Sequence, residues 1–242
     1  VGCLVAFVVR QGRVAEPLVD LRPFSNRAFI MGLVVIVIAL MTVFSMNIIL
    51  PLFMQGSLGF SAFDAALTLL PSCVLAPLAG KVYDRAGLRV MLPVGLGLMA
   101  VFAFALSRCT EQATSPVIVL CYAPVIVGCA LSMGPAQSFA LSSLKPQLYP
   151  HGVTIVSTSF QIAGCVGSSL FVGVLSSVQA AQLAGGAADR LATAAGFQAA
   201  CLVAAAIAVA GFALSLGLGR LERRCVVQQA AAPAPATAAS EV

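Results

Sequence analysis

Charge is what this sequence lacks. Lys, Arg, Asp and Glu make up 9% of its 242 residues, against about a quarter in an ordinary soluble domain. The few charges fall in short clusters, and the stretches 28–63, 65–80, 90–107, 112–144, 152–188 and 191–219 hold none. A charged side chain at the bilayer centre costs roughly 2.5–3.5 kcal/mol even on lenient insertion scales. Uncharged runs of this length therefore belong in lipid, and a soluble core under a polar shell is excluded. Histidine is nearly absent too, with His151 alone. The eight cysteines form no C-x-x-C pair and no Cys/His ligand spacing. Most lie inside apolar runs, where Cys behaves as a small apolar residue. No H-E-x-x-H, G-x-S-x-G or Walker sequence is present. The chain reads as a non-enzyme, with no catalytic residue, no metal site and no cofactor.

What is there is hydrophobicity, at 60% of the chain, and it is periodic in blocks of membrane-spanning length. We expect an all-α polytopic bundle with six transmembrane helices near 27–54, 61–83, 90–107, 115–142, 153–180 and 195–218. The second run is short by itself, but Ser61-Ala62-Phe63-Asp64 has the S-x-x-D form of a helix start. Residues 1–26 read as the end of a preceding transmembrane helix followed by a cytoplasmic linker. Val1–Val9 is too short to span and lacks the flanks of a signal peptide. The chain thus reads as the C-terminal part of a longer protein, its N-terminal half missing. Residues 27–218 form the membrane domain, and 219–242, ending in Ala/Pro-rich sequence, a disordered cytoplasmic tail.

The net charge of +5 is a topology signal. Arg10, Arg13, Arg22, Arg27, Lys81, Arg85, Arg89, Lys145, Arg220, Arg223 and Arg224 fall on one set of alternating loops, and only Arg108 and Arg190 on the other. That is the positive-inside distribution. It puts the C-terminus in the cytoplasm and removes the reason to invoke a nucleic-acid partner.

Small residues recur on the fifth span at Ala163 and Gly167 and at Ser169, Gly173 and Ser177, which predicts tight packing along two faces. Pro71, Pro77, Pro124 and Pro135 sit inside spans, where neighbouring helices can satisfy the freed backbone groups. Asn47 and Gln55 on the first span, Gln137 on the fourth and Gln161 on the fifth are uncharged amides. They serve either as interhelical hydrogen-bond partners or as cavity lining. Met46, Phe53, Met54 and Phe139 would supply the adaptable apolar wall of such a cavity. No acid lies at midspan: Asp64 starts a helix, Asp84 is in a loop and Asp189 lies between spans. Any proton-coupling carboxylate must come mainly from outside this chain. His151, after Pro150, reads as a turn or cap residue.

The sharpest motif is Gly80-Lys81-Val82-Tyr83-Asp84-Arg85-Ala86-Gly87-Leu88-Arg89, a tight loop in which Gly87 turns the chain and Gly80 allows close packing. Asp84 can accept hydrogen bonds from a neighbouring helix N-terminus. This loop resembles the hallmark of the major facilitator superfamily. Leu50-Pro51-Leu52-Phe53-Met54-Gln55, Gly59-Phe60-Ser61, Leu69-Leu70-Pro71 and Tyr149-Pro150-His151-Gly152 narrow the resemblance. So does Phe160-Gln161-Ile162-Ala163-Gly164-Cys165-Val166-Gly167. Together they are similar to the fourteen-span drug:proton antiporters of the EmrB/QacA type. Val90, Ala66, Ser157 and Phe160 depart from that pattern. The resemblance implies alternating access and proton-driven multidrug efflux, with amphipathic or apolar small molecules and protons as partners beside the lipid bilayer. It implies a bacterial inner (plasma) membrane location, and a latch between cytoplasmic helix ends formed by Gly80, Asp84, Arg85, Gly87 and Arg89. Asp84 and Arg85 could instead simply cap the hairpin. A metabolite exporter on the same scaffold, or a truncated membrane protein that transports nothing, remain the other readings.

Overall fold

The structure, a computed structural model, describes residues 20–72, 88–110 and 112–231. The start of α1, Arg27–Gly56, is fixed by Asn26. Its Oδ1 accepts from the backbone N–H groups of Ala28 (2.9 Å) and Phe29 (3.4 Å), satisfying donors that a helix start leaves open. The helix is apolar on all sides and sits at the centre of the bundle, packed against α4, α5 and α6. After a turn in which Gly59 takes φ +75°, helical residues 62–72 begin α2. The expected start is there: Ser61 Oγ donates to Asp64 Oδ2 (2.7 Å) and accepts from the Asp64 N–H (3.1 Å). The remainder of the expected 61–83 span lies outside the described residues, as do the 1–9 stub and most of the linker.

α3 is Leu88–Leu106, α4 Ser115–Ser142, α5 Tyr149–Ala184 and α6 Asp189–Ala231. Among the described residues there is helix and no strand. Arg27–Gly56, Ser115–Ser142, Pro146–Ala184 and Asp189–Gly217 are long and apolar enough to cross a membrane, and Val90–Leu106 is a shorter apolar helix. Pro51, Pro93, Pro124 and Pro135 all stay within their helices. Two boundaries differ from expectation. α5 starts at Tyr149, directly after a short 3-10 turn, and α6 continues past 218 to Ala231. The segment 219–231 is helical, a stretch rich in helix formers, and 232–242 lie outside the described residues.

Helix packing rests on close backbone approaches. A Cβ on Gly95 of α3 would lie 2.5 Å from the Gly128 carbonyl oxygen of α4, and one on Gly128 would lie 2.5 Å from the Gly95 oxygen. A Cβ on Gly167 of α5 would lie 2.9 Å from Met41 Cα of α1, and one on Gly196 of α6 2.5 Å from the Leu175 oxygen of α5. Without a hydrophobic drive between helices in lipid, such approaches supply the dispersion that holds them. Of the two small-residue faces expected on α5, only Ala163/Gly167 is packed. Ser169 and Ser177 are exposed, and a Cβ on Gly173 would meet nothing within 4 Å.

Polar ties clamp both ends. At one, Asn26 Nδ2 donates to the Ser143 carbonyl (2.7 Å) and the Asp20 N–H donates to His151 Nδ1 (3.2 Å). These join the start of α1, the end of α4 and the start of α5, and give His151 a tethering role at the helix start. At the other end, Gln198 Nε2 donates to the Cys109 carbonyl (2.9 Å) and Gln179 Nε2 to Thr193 Oγ1 (3.0 Å).

Candidate functional site

Around α1, residues that meet α4 (Gly32, Ala39) and residues that meet α5 (Met41, Ser45) leave an uncovered strip between them. At 100° per residue that strip carries Phe44, Asn47, Ile48 and Gln55. All four are exposed, Phe44 at 44% and Ile48 at 41%. The lower part of α4 continues the opening. There a hollow of about 410 Å³ is lined by Gly134, Gln137, Ser138, Leu141, Ser142 and Tyr149. Gln161 is exposed on the neighbouring α5.

The four amides do not form one cluster. Gly32 abuts Ala140 and the Ala136 oxygen, which sets Gln137 near the first turns of α1. Gly164 abuts Phe44, which sets Gln161 near midspan, while Asn47 lies about one turn further and Gln55 at the far end. Over some twenty residues of helix the file extends roughly 30 Å. One of its members is anchored: Tyr122, only 1% exposed, donates from its hydroxyl to Asn47 Oδ1 at 2.8 Å. Asn47 is thus hydrogen-bonded to a neighbouring helix while it stays exposed on this face.

Met46, Phe53 and Met54 do not belong to that face. All three are fully buried in the helix core, and Phe53 stacks on Phe197 of α6 with centroids 4.2 Å apart and planes 12° from parallel. Phe53 thus faces α6, and none of the three is exposed on the strip. The apolar side chains exposed on the strip are Phe44 and Ile48, and Phe139 on α4 is half-buried. Sequence reading also passed over Tyr122, although a tyrosine hydroxyl within an apolar span has to find a partner. Asn26 was passed over as well, although Asn directly before an apolar helix is a capping signal.

Among the residues whose side chains are described, none on this face carries a formal charge. Asp20, Arg22, Arg27, Asp64, Arg108, Lys145, Asp189 and Arg190 stand at helix ends or in connections. Among the described residues no group of three His, Cys, Asp or Glu could hold a metal ion. The face offers amide donors and acceptors, hydroxyls and aromatic surface. It can bind uncharged polar groups and apolar bodies, but it carries no group to exchange a proton at neutral pH. Gly80, Asp84, Arg85 and Gly87 lie outside the described residues, and of Arg89 only the helical backbone in α3 is described.

The sequence profile of the Major Facilitator Superfamily matches residues 7–168. The lincomycin resistance protein LmrB of Listeria monocytogenes is 34% identical over 181 residues, covering 73% of this chain and 38% of its own length. The MFS-type transporter YcnB of Bacillus subtilis is 31% identical over 231 residues, 94% of this chain and 48% of its own length. The multidrug resistance protein B homolog of Mycobacterium tuberculosis is 28% identical over 176 residues, 69% of this chain and 32% of its own length. The chain spans less than half the length of these relatives.

Proposed function

The chain belongs to the Major Facilitator Superfamily, a family of multi-pass membrane transporters and not of enzymes, and from that premise we propose that it is the C-terminal bundle of a secondary active drug exporter. The observation that carries the reading is the uncharged open face of α1, α4 and α5, where exposed amides and hydroxyls stand beside apolar side chains. Amides and hydroxyls in that position need water, substrate or protein opposite them, because lipid offers them no hydrogen bonds. The names of the relatives, a lincomycin resistance protein and a multidrug resistance homolog, support drug-like small molecules as cargo.

Transport proceeds by alternating access, two bundles rocking about a cavity near the midplane. The second bundle is an N-terminal half outside this chain, a reading supported by the greater length of the relatives. Proton entry drives export. The described spans contain no acid at midspan, so the coupling carboxylate belongs to the other half. Gly80, Asp84, Arg85, Gly87 and Arg89 latch helix ends on the cytoplasmic side, where the C-terminus also lies, in a bacterial inner membrane. Asn47, Gln55, Gln137 and Gln161 line one wall. The same neutral wall also fits an uncharged metabolite, since Gln137 and Gln161 hydrogen-bond without charge.

The test is expression of the intact transporter in a drug-hypersensitive bacterium. Inhibitory concentrations of lincomycin, chloramphenicol or ethidium should rise, and inverted vesicles should accumulate the exported compound only under a proton gradient. Asp84→Asn should lower that uptake roughly tenfold, the loss of a hydrogen bond to a charged group, with membrane expression unchanged. Full efflux by Asp84→Asn would remove the latch. No change for any drug, with uptake of labelled metabolites instead, would replace drug export by metabolite export.

A further inference from the structure

Asn47 differs from the other amides of the file in having its carbonyl end occupied. A carboxamide presents an acceptor oxygen on one side of its plane and two N–H donors on the other. Tyr122 donates to the oxygen at 2.8 Å. The tyrosine ring is 1% exposed, in the core cluster with Ile118, Val125 and Cys129. Its hydroxyl is therefore placed by core packing, and the Asn47 amide plane is set by a rigid neighbour rather than by a mobile surface chain. With Oδ1 committed, Nδ2 turns to the other side, and no described residue accepts from it. The residues beside it on the strip, Phe44 and Ile48, are apolar and exposed.

We propose that Asn47, oriented by Tyr122, is a fixed hydrogen-bond donor on the open face, and that it selects uncharged substrates carrying a carbonyl, ether or hydroxyl oxygen. The inference rests on the reading of this face as a substrate wall, and deepens it by naming the chemistry recognised. The apolar neighbours bind many shapes by dispersion and area, with little regard to identity. A single oriented donor adds discrimination, because a substrate that lacks the matching acceptor leaves an amide N–H unpaired when it displaces water. Tyr122 is the positioning residue and Asn47 the contact residue.

The intact transporter in inverted vesicles is tested with two probes. Chloramphenicol is uncharged and carries an amide carbonyl. Ethidium is an aromatic cation without an oxygen acceptor. Asn47→Leu should raise KM for chloramphenicol roughly 2- to 12-fold, the range expected for one neutral hydrogen bond, leave its maximal rate unchanged, and move ethidium less than twofold. Tyr122→Phe, which keeps the ring and frees the amide, should shift the chloramphenicol KM in the same direction by less. Asn47→Asp can still accept from Tyr122 but offers no donor, so it should not rescue. Equal shifts for both probes, or none for either, overturn the proposal. Ligand-induced thermal stabilisation of the purified transporter is the second measurement. Loss of chloramphenicol stabilisation in Asn47→Leu, with wild type exporting neither probe, would end the efflux reading and keep the donor. Absence of any chloramphenicol stabilisation in wild type would end the donor as well.

Discussion

The contact between α3 and α4 gives a sharp prediction, because a paired control lies on the same helix. Gly128 faces α3 so closely that an added Cβ would stand 2.5 Å from the Gly95 oxygen and 2.8 Å from Met99 Cγ. An ordinary carbon–oxygen contact is nearer 3.4 Å, so Gly128→Ala must push the helices apart by most of an ångström. Met99 can swing its terminal atoms, but the Gly95 carbonyl is helix backbone and can yield only by moving α3. Gly134 lies six residues further along the same helix, where a Cβ would meet nothing within 4 Å. Both substitutions gain the same helix propensity, up to about 1 kcal/mol for Gly→Ala. The difference between them therefore isolates the close contact. Overpacking of this kind costs about 1–3 kcal/mol, and at roughly 1–2 °C per kcal/mol for an intact transporter of about twice this length the pair should separate by about 1–6 °C. The assay is thermal unfolding of the purified intact transporter in one detergent, wild type and the two variants side by side. Gly134→Ala should melt at or slightly above wild type, and Gly128→Ala below it. Coincident melting of the two alanine variants would refute the packing argument, because their shared propensity term cancels.

Two further outcomes can be checked without a transport assay. Burial, and then the neighbouring Cys121, pushes the Cys109 thiol in the α3–α4 connection up to about 11. Since the thiolate is the reacting form, iodoacetamide labelling of Cys109 should stay slow through pH 9 and rise only as the pH approaches 11, followed by mass spectrometry of the peptide. Fast labelling at pH 7 would contradict its burial. Asn26→Ala removes both the cap on Ala28 and Phe29 and the tie to Ser143. It should cost about 1–2 kcal/mol, read as a lower unfolding temperature. Asn26→Asp, which can cap but cannot donate to Ser143, should fall between wild type and alanine.

Much of this architecture is legible in the sequence because lipid makes one demand that few residues can evade. Charges must stand at helix ends, so the gaps Arg27 to Asp64, Asp64 to Lys81, Arg89 to Arg108, Glu111 to Lys145, His151 to Asp189 and Arg190 to Arg220 mark the spans almost directly. The Ser61/Asp64 start is equally direct, since a cap is a local pattern with a local consequence. What cannot be read is rotation about a helix axis. In a soluble helix the polar side names the outside; in a bilayer the core side and the lipid side are both apolar, and the hydropathy of α1 is even all round. Met46 and Phe53 could be drawn toward the cavity only because nothing in their immediate sequence opposed it. The face was set instead by glycines on other helices, Gly167 against Met41 and Gly211 against Ile38. The same ambiguity hid the open side of α5, where Ser169, Gly173 and Ser177 look as ready to pack as Ala163 and Gly167. Tyr122 escaped for another reason: its partner is 75 residues away, a separation that no local pattern reports.

The placement of polar contacts bears on how such a bundle could move. The side-chain hydrogen bonds Asn26–Ser143 and Gln198–Cys109 sit near opposite ends of the bundle, and Tyr122–Asn47 ties α4 to α1 within it. Between the ends the helices are also joined by backbone approaches too close to slide, Gly95 on Gly128 and Gly167 on Met41. Shear between packed helices needs side chains that can exchange grooves, and two backbones in direct contact have none to exchange. Internal rearrangement of α1, α3, α4 and α5 would therefore have to break the packing that holds them, whereas rotation of the bundle as one body breaks none of it. The rocking of whole bundles proposed above asks for this kind of rigid body, since it leaves the Gly95–Gly128 and Gly167–Met41 approaches intact.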